Sequence, residues 1–311
     1  MPRGRLCWQT ARRPAAAERP AASAGIAAES HEPLRAGAAS GETGRMTDPE
    51  IRPAVRSERR GNILLVTIDR PEARNAVNSE VSTLLGRALH EADTDPEIRA
   101  VVVTGAGEQS FCAGADLKAI SRGEDIFPAD NREWGFAGMM QQYVSVPVIA
   151  AVNGTALGGG CEIALACDLV VAAEHAVFGL PEVKRGLITA AGGVFRLPAQ
   201  LPHRVAMEMM LTGEPITAAR AHELHLINRV VPADQLLDAA LDLAGVLCAN
   251  APLAVQASKR VALGIQDGAR PSEVEKWRIS DTEMINVMTS EDAAEGPRAF
   301  AEKRAPIWKA R

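Results

Sequence analysis

Aromatic residues are scarce in this 311-residue chain: four Trp, six Phe and a single tyrosine, Tyr143, together 4%. That is poor material for a surface that stacks nucleic-acid bases. A basic excess is missing too. The 34 Lys and Arg stand against 39 Asp and Glu, a formal net charge of −5, which is the wrong sign for an electrostatic nucleic-acid binder. No stretch reaches the about 18 consecutive apolar residues of a membrane span. The five cysteines, Cys7, Cys112, Cys161, Cys167 and Cys248, are odd in number and form no CxxC pair. They suggest neither a disulfide framework nor a zinc ribbon, and they suit a reducing, cytoplasmic setting. No metal site is expected.

What is present is ordinary globular material, 47% hydrophobic and 23% charged, which excludes disorder of the whole chain. Charge is unevenly spread. Residues 1–45 hold seven Arg and four Glu, a local balance of +3, so the remainder carries −8. This leader is rich in Ala, Pro, Gly and Ser, without sustained periodicity, and is expected to be disordered. Its arginines suggest a transit peptide and its glutamates argue against one; Met46-Thr47-Asp48-Pro49 offers an alternative beginning.

From residue 61, short apolar runs alternate with amphipathic stretches. Strands are expected at Ile63–Ile68, Ala100–Thr104, Pro147–Val152, Asp168–Ala173 and Leu226–Val231. Val81, Leu84, Leu85, Ala88, Leu89 and Ala92 recur with helical period and predict a helix over about 79–93. Another is expected over 131–144. Runs apolar on both faces favour an α/β arrangement with a buried sheet. After Pro232 the pattern is helical only: about 233–249, 252–264, 271–288 and a short helix through Phe300.

Three motifs invite chemistry. Gly105-Ala106-Gly107-Glu108-Gln109-Ser110 approaches a dinucleotide-binding loop but has serine where GxGxxG requires glycine. His222-Glu223-Leu224-His225 has its histidines three apart where HExxH needs four. The third is a constellation. Asn153-Gly154-Thr155-Ala156-Leu157-Gly158-Gly159-Gly160-Cys161-Glu162 runs from a strand end through three glycines into an apolar helix with one carboxylate. Bare glycines let main-chain N–H groups approach a ligand, and the helix start adds positive charge, a combination suited to a developing oxyanion. Glu162, among Ile163, Ala164, Leu165 and Ala166, is either a solvent-facing first-turn residue or a buried carboxylate with a task. A second small-residue loop, Phe111-Cys112-Ala113-Gly114-Ala115-Asp116-Leu117-Lys118, offers a further free N–H. Glu182, in Leu180-Pro181-Glu182, supplies a second carboxylate.

These segments, with Asp69-Arg70-Pro71-Glu72-Ala73-Arg74-Asn75-Ala76 and Gly192-Gly193-Val194-Phe195-Arg196-Leu197, resemble the crotonase, or enoyl-CoA hydratase/isomerase, superfamily from about residue 57 to 311. The resemblance implies an α/β spiral of ββα units over 46–232 and a helical oligomerisation region over 233–311, assembled as a homotrimer or a dimer of trimers. It implies an acyl-CoA thioester held between the N–H groups of Ala115 and Gly159. Glu162 would activate the water that attacks C3 and Glu182 would handle the proton at C2, giving an enoyl-CoA hydratase. An isomerase of the Δ3,Δ2 type and a carnitinyl-CoA dehydratase-like enzyme are the alternatives, the latter because of the ending from Ser290-Glu291-Asp292 through Trp308-Lys309. No cofactor beyond the substrate's own CoA is implied. CoA contacts are implied at Ala73, Arg74, Ala76, Ala113, Asp116, Leu117, Lys118 and Gly158, and from a neighbouring subunit's Phe300 and Lys303. Arg74, Lys118 and Lys303 read equally as surface charges, and Phe300 as packing. Where the short-chain hydratase pattern is Pro-Gly-Ala-Gly-Gly-Thr-Gln, this chain has Thr189-Ala190-Ala191-Gly192-Gly193-Val194-Phe195. Ser121 to Met140, with Phe127, Trp134, Phe136, Met139 and Met140, is expected to form the variable acyl-pocket wall.

Overall fold

The computed structural model describes residues 52–311; the leader over 1–45 and Met46 lie outside the described residues. The first half runs β1 (Val55–Arg60), β2 (Ile63–Ile68), α1 (Ser79–Thr94), β3 (Ala100–Gly105), β4 (Ser110–Cys112), α2 (Leu117–Ser121), β5 (Val148–Val152), β6 (Thr155–Leu157) and α3 (Gly159–Ala166). It continues with β7 (Leu169–Ala173), β8 (Val177–Gly179), α4 (Gly193–Gln200), α5 (His203–Thr212), β9 (Ile216–Thr217), α6 (Ala218–Glu223) and β10 (Arg229–Val231). Four helices close the chain: α7 (Leu236–Cys248), α8 (Pro252–Leu263), α9 (Pro271–Met288) and α10 (Glu291–Ala301).

The large sheet has the order β1-β2-β3-β5-β7-β10, with β1 antiparallel to β2 and the rest parallel. Its central strands are apolar throughout because both faces are covered. Leu64, Val66, Val101, Val103, Ala150 and Val152 face the core that contains α1 and α3, whereas Leu65, Val102, Ile149, Ala151 and Val171 face Leu236, Ala240 and Ala244 of α7. The alternation along each strand assigns consecutive residues to the two cores. Although α7 follows the last strand, it thus closes the second face of the sheet.

A smaller sheet, β4-β6-β8-β9, repeats a two-strand unit. Each of β3, β5 and β7 is followed within a few residues by β4, β6 or β8, and the latter two lead into a helix or helical turn. Because β4, β6 and β8 pair in parallel, with Cys112 opposite Ala156 and Leu157 opposite Gly179, the loops leaving their carboxyl ends lie side by side. Those loops are 113–116, 158–159 and 180–182. This is the spiral of ββα units that the sequence led us to expect, and its strand ends are where parallel sheets gather ligand-binding loops.

α1 forms as its periodicity predicts, with the Asn78 side chain accepting from the Val81 N–H at 3.0 Å as N-cap. The helix expected over 131–144 is absent. That segment makes two short 3₁₀ turns, at Arg132–Trp134 and Phe136–Gly138, because Gly135, Ala137 and Gly138 adopt positive φ and the chain folds down onto α1. A Cβ on Gly138 would meet the Gly86 backbone of α1 at 2.6–2.7 Å. Tertiary contact overrides the helical pattern there.

Candidate active site

The site grows from the three adjacent strand ends. At the first, Val77 makes a parallel bridge with Ala115: the Val77 N–H donates to Gly114 O and the Asp116 N–H to Val77 O, both at 2.8–2.9 Å. In that pattern Ala115's own N–H points away from Val77, and it has no backbone acceptor among the described residues. Buried Asn75 holds this loop against its neighbours. It accepts from the Arg70 N–H at 3.0 Å and donates to Ala106 O and Ser110 O at 3.0 and 2.7 Å. Replacing Asn75 by alanine orphans these groups and is expected to cost about 2–4 kcal/mol, readable as a lowered urea midpoint with unchanged slope.

At the second strand end, Gly158 has φ 56° and ψ −128° and donates to Gly179 O at 2.9 Å. A side chain is excluded there twice over, by the backbone and because a Cβ would lie 2.9 Å from Glu182 Oε1. Gly159 opens α3, so its N–H has no intrahelical acceptor. A Cβ on Gly159 would lie 3.3 Å from Gly114 Cα and 2.5 Å from the ring of Phe136. The Ala115 and Gly159 loops therefore touch, with Phe136 against the second.

Glu162 lies in the first turn of α3 but is buried, 3% exposed, and its Oε1 accepts from the Gly193 N–H at 2.7 Å. Burial, with the charge of Glu182 added, pushes its carboxyl up to about 8, against the pull of the Gly193 N–H and the Arg196 cation. Glu182 follows Pro181 in a 3₁₀ turn at the third strand end. Burial raises its carboxyl as well, partly offset by the Thr189 hydroxyl, which donates to Oε2 at 2.8 Å. Burial thus favours the neutral form of both carboxyls, and the two, being coupled, titrate as a pair.

The remaining residues singled out from the sequence fall into two groups. Ala73, Arg74, Ala76 and Ala113 flank the Ala115 loop, Arg74 at φ 53° with its carbonyl accepting from the Ala113 N–H at 3.1 Å. Leu117 and Lys118 are exposed at the start of α2. Asp116 has a structural occupation: its Oδ1 caps the Lys118 and Ala119 N–H groups at 3.0 and 3.1 Å, and its Oδ2 pairs with Arg70 at 2.9 Å. Phe300 and Lys303 lie at and just beyond the end of α10. Phe300 packs under the Arg185 guanidinium, 4.0 Å from the ring centroid.

Of the expected pocket wall, Phe136, Met139 and Met140 are buried, and Trp134 packs near His90 with a ring separation of 5.6 Å. Sequence reasoning singled out neither Asn75 nor Thr189 as a functional residue, nor the Arg196–Glu273 ion pair, whose closest contact is 2.8 Å. Arg196 also donates to Met140 O at 2.8 Å and so ties α4 to α9 and to the 139–140 segment. A cavity of about 480 Å³ is walled by residues including Arg196, Tyr143, Lys259 and Trp277 but by none of Ala115, Gly159, Glu162 or Glu182. The catalytic candidates are elsewhere.

Two free N–H groups thus lie on loops that adjoin two desolvated carboxylates, and comparison with known proteins identifies the family. The family model for enoyl-CoA hydratase/isomerase matches residues 58–311. The chain belongs to this family. It is 45% identical over 258 residues to a carnitinyl-CoA dehydratase of Salmonella typhi, covering 81% of this chain and 97% of that one. The crystal structure of carnitinyl-CoA hydratase from Mycobacterium avium is 62% identical, with a TM-score of 0.83 over 84% of this chain and 100% of the other. An enoyl-CoA hydratase from Mycobacterium tuberculosis H37Rv is 44% identical with a TM-score of 0.65, over 84% of this chain and 100% of its own.

Proposed function

We propose that this family member is a hydro-lyase of the carnitinyl-CoA dehydratase type, interconverting a 3-hydroxyacyl-CoA and its 2-enoyl-CoA. The observation that carries the reading is the placing of two desolvated carboxylates, Glu162 and Glu182, against the loops that carry the free N–H groups of Ala115 and Gly159. The names of the Salmonella typhi and Mycobacterium avium relatives direct it to a 3-hydroxy-4-(trimethylammonio)butanoyl thioester.

In dehydration, ionised Glu182 removes the proton at C2. The electron pair moves onto the thioester oxygen, which the two N–H groups receive; each such donor is worth ~10²–10³ in rate. Glu162 then gives its proton to the departing C3 hydroxyl, and water leaves as the C2=C3 bond forms. Glu182 is left protonated and Glu162 ionised, the starting state for hydration by the reverse path. The residue roles are those implied by the family resemblance. Burial raises the proton affinity of both carboxyls, that of Glu162 up to about 8, so Glu162 holds the proton that this direction needs. No metal enters these steps, and CoA enters as part of the substrate.

Assembly into trimers, or dimers of trimers, is part of the proposal. The exposed Leu253 and Val261 of α8 and Val274, Ile285 and Met288 of α9 support it, being more apolar surface than a helical tail leaves to water without a partner.

The test follows absorbance of the conjugated enoyl thioester while purified protein acts on crotonobetainyl-, crotonyl- and longer 2-enoyl-CoAs. The expected result is turnover of the panel with the highest kcat/KM for the trimethylammonio substrate. Comparable or better turnover of crotonyl-CoA would overturn the carnitinyl assignment, and no turnover of any would overturn the hydro-lyase reading. Conversion of a 3-enoyl-CoA without water uptake would point to an isomerase.

A further inference from the structure

Thr189 lies between the Pro181–Arg185 turn and α4, 5% exposed, and its two γ groups face the two carboxylates separately. The hydroxyl donates to Glu182 Oε2 at 2.8 Å. The methyl packs on Gly193, the residue whose N–H holds Glu162 Oε1. A Cβ there would lie 2.7 Å from Thr189 Cγ2 and 3.0 Å from Glu162 Cγ. One small side chain therefore touches Glu182 directly and Glu162 through its anchor.

A hydroxyl has a single hydrogen, and donating it to a carboxylate oxygen favours the charged form of that carboxylate. It also fixes which oxygen is tied. With Oε2 held by Thr189, Oε1 is the atom that faces the Gly158–Gly159 turn, as its 2.9 Å approach to a Cβ position on Gly158 shows.

We propose that Thr189 is a positioning residue that distinguishes the two carboxylates: by donating to Oε2 its hydroxyl favours the charged form of Glu182 and leaves Oε1 turned to the substrate. This rests on the dehydration reading above. Proton removal from C2 occurs at Oε1 while the Thr189 hydrogen stays on Oε2, so Thr189 exchanges no proton with substrate.

Two variants of the full chain separate hydroxyl from methyl. Thr189→Val keeps the methyl and removes the donor; Thr189→Ser does the reverse. For Thr189→Val the acidic limb of the dehydration kcat/KM profile is expected to move up by about one pH unit, with kcat about tenfold lower at neutral pH and KM within about twofold. Thr189→Ser is expected to keep the acidic limb of the parent protein. An unmoved limb in Thr189→Val, or the same displacement in Thr189→Ser, would overturn the proposal.

A second measurement is independent of turnover. In protein carrying δ-¹³C-labelled glutamate, with the Glu182 signal assigned through Glu182→Gln, that carboxyl should titrate higher in Thr189→Val than in the parent. Equal titration would overturn the role of Thr189. Absence of turnover with any substrate, alongside a displaced titration, would instead remove the dehydration reading and leave the Thr189–Glu182 coupling standing.

Discussion

Replacing Glu162 by glutamine is expected to lower kcat by about 10²–10⁴-fold while raising the melting temperature. The loss follows from the role: glutamine has no proton to give a departing hydroxyl, yet its amide oxygen can still accept from Gly193, so the fold is kept. The gain follows from burial. A carboxyl pushed from 4.5 up to about 8 in the folded protein binds more protons than the unfolded chain across that interval. Stability conferred below about pH 4.5 is therefore lost as pH rises toward 8. Glutamine removes that dependence. Each 1 kcal/mol recovered corresponds to roughly 2–4 °C, so the variant should melt above the parent at pH 8 and converge with it near pH 4. The same carboxyl sets an upper limit on activity: dehydration kcat/KM is expected to fall above about pH 8 as Glu162 loses its proton. An inactive variant that is not stabilised at pH 8 would show that Glu162 is not held protonated by burial. A stabilised variant retaining activity would remove its acid role.

Replacing Gly159 by alanine is expected to reduce kcat by about 10²-fold with a smaller change in KM, through displacement of one N–H that receives the enolate oxygen. The added Cβ would stand 2.5 and 2.7 Å from Phe136 Cε1 and Cζ, so either the ring or the start of α3 must move. Phe136 is 7% exposed and packed in the main core, which leaves the glycine turn as the softer partner. Combining Gly159→Ala with Phe136→Leu relieves the clash, and kcat should recover by at least about tenfold over Gly159→Ala alone. Failure of the double variant to recover would mean that the N–H is displaced by something other than Phe136. An unchanged kcat in Gly159→Ala would mean that this N–H does not carry the oxyanion.

How much of this was legible in the sequence depends on the range of the interaction. The Gly158-Gly159-Gly160-Cys161-Glu162 run was legible because a bare glycine turn and a lone carboxylate in an apolar helix are local anomalies. So were the central strands, whose apolar runs need only be buried on both sides. The three-residue strands β4, β6 and β8 carry no period and are not legible, yet their parallel pairing aligns the loops of the candidate site. The helix expected over 131–144 does not form. The segment's positive-φ residues and the approach of Gly138 to Gly86 belong to a packing against α1 that no local pattern encodes. The carboxylate of Asp116 caps α2 and holds Arg70 across 46 positions, the latter a partner that no local pattern encodes.

The sequence by itself determined which groups could do chemistry: two small-residue loops with unobstructed N–H groups and two carboxylates, each marked by its immediate neighbours. Only the tertiary structure decided that these groups share a site and that they differ. Burial and the Glu182 charge favour a proton on Glu162, the Gly193 N–H pulls the other way, and the Thr189 hydroxyl favours the charged form of Glu182. Those partners lie up to 31 positions away in the chain. Proton affinity is a property of the surrounding dielectric and donors, and those exist only once the strand ends have been brought side by side.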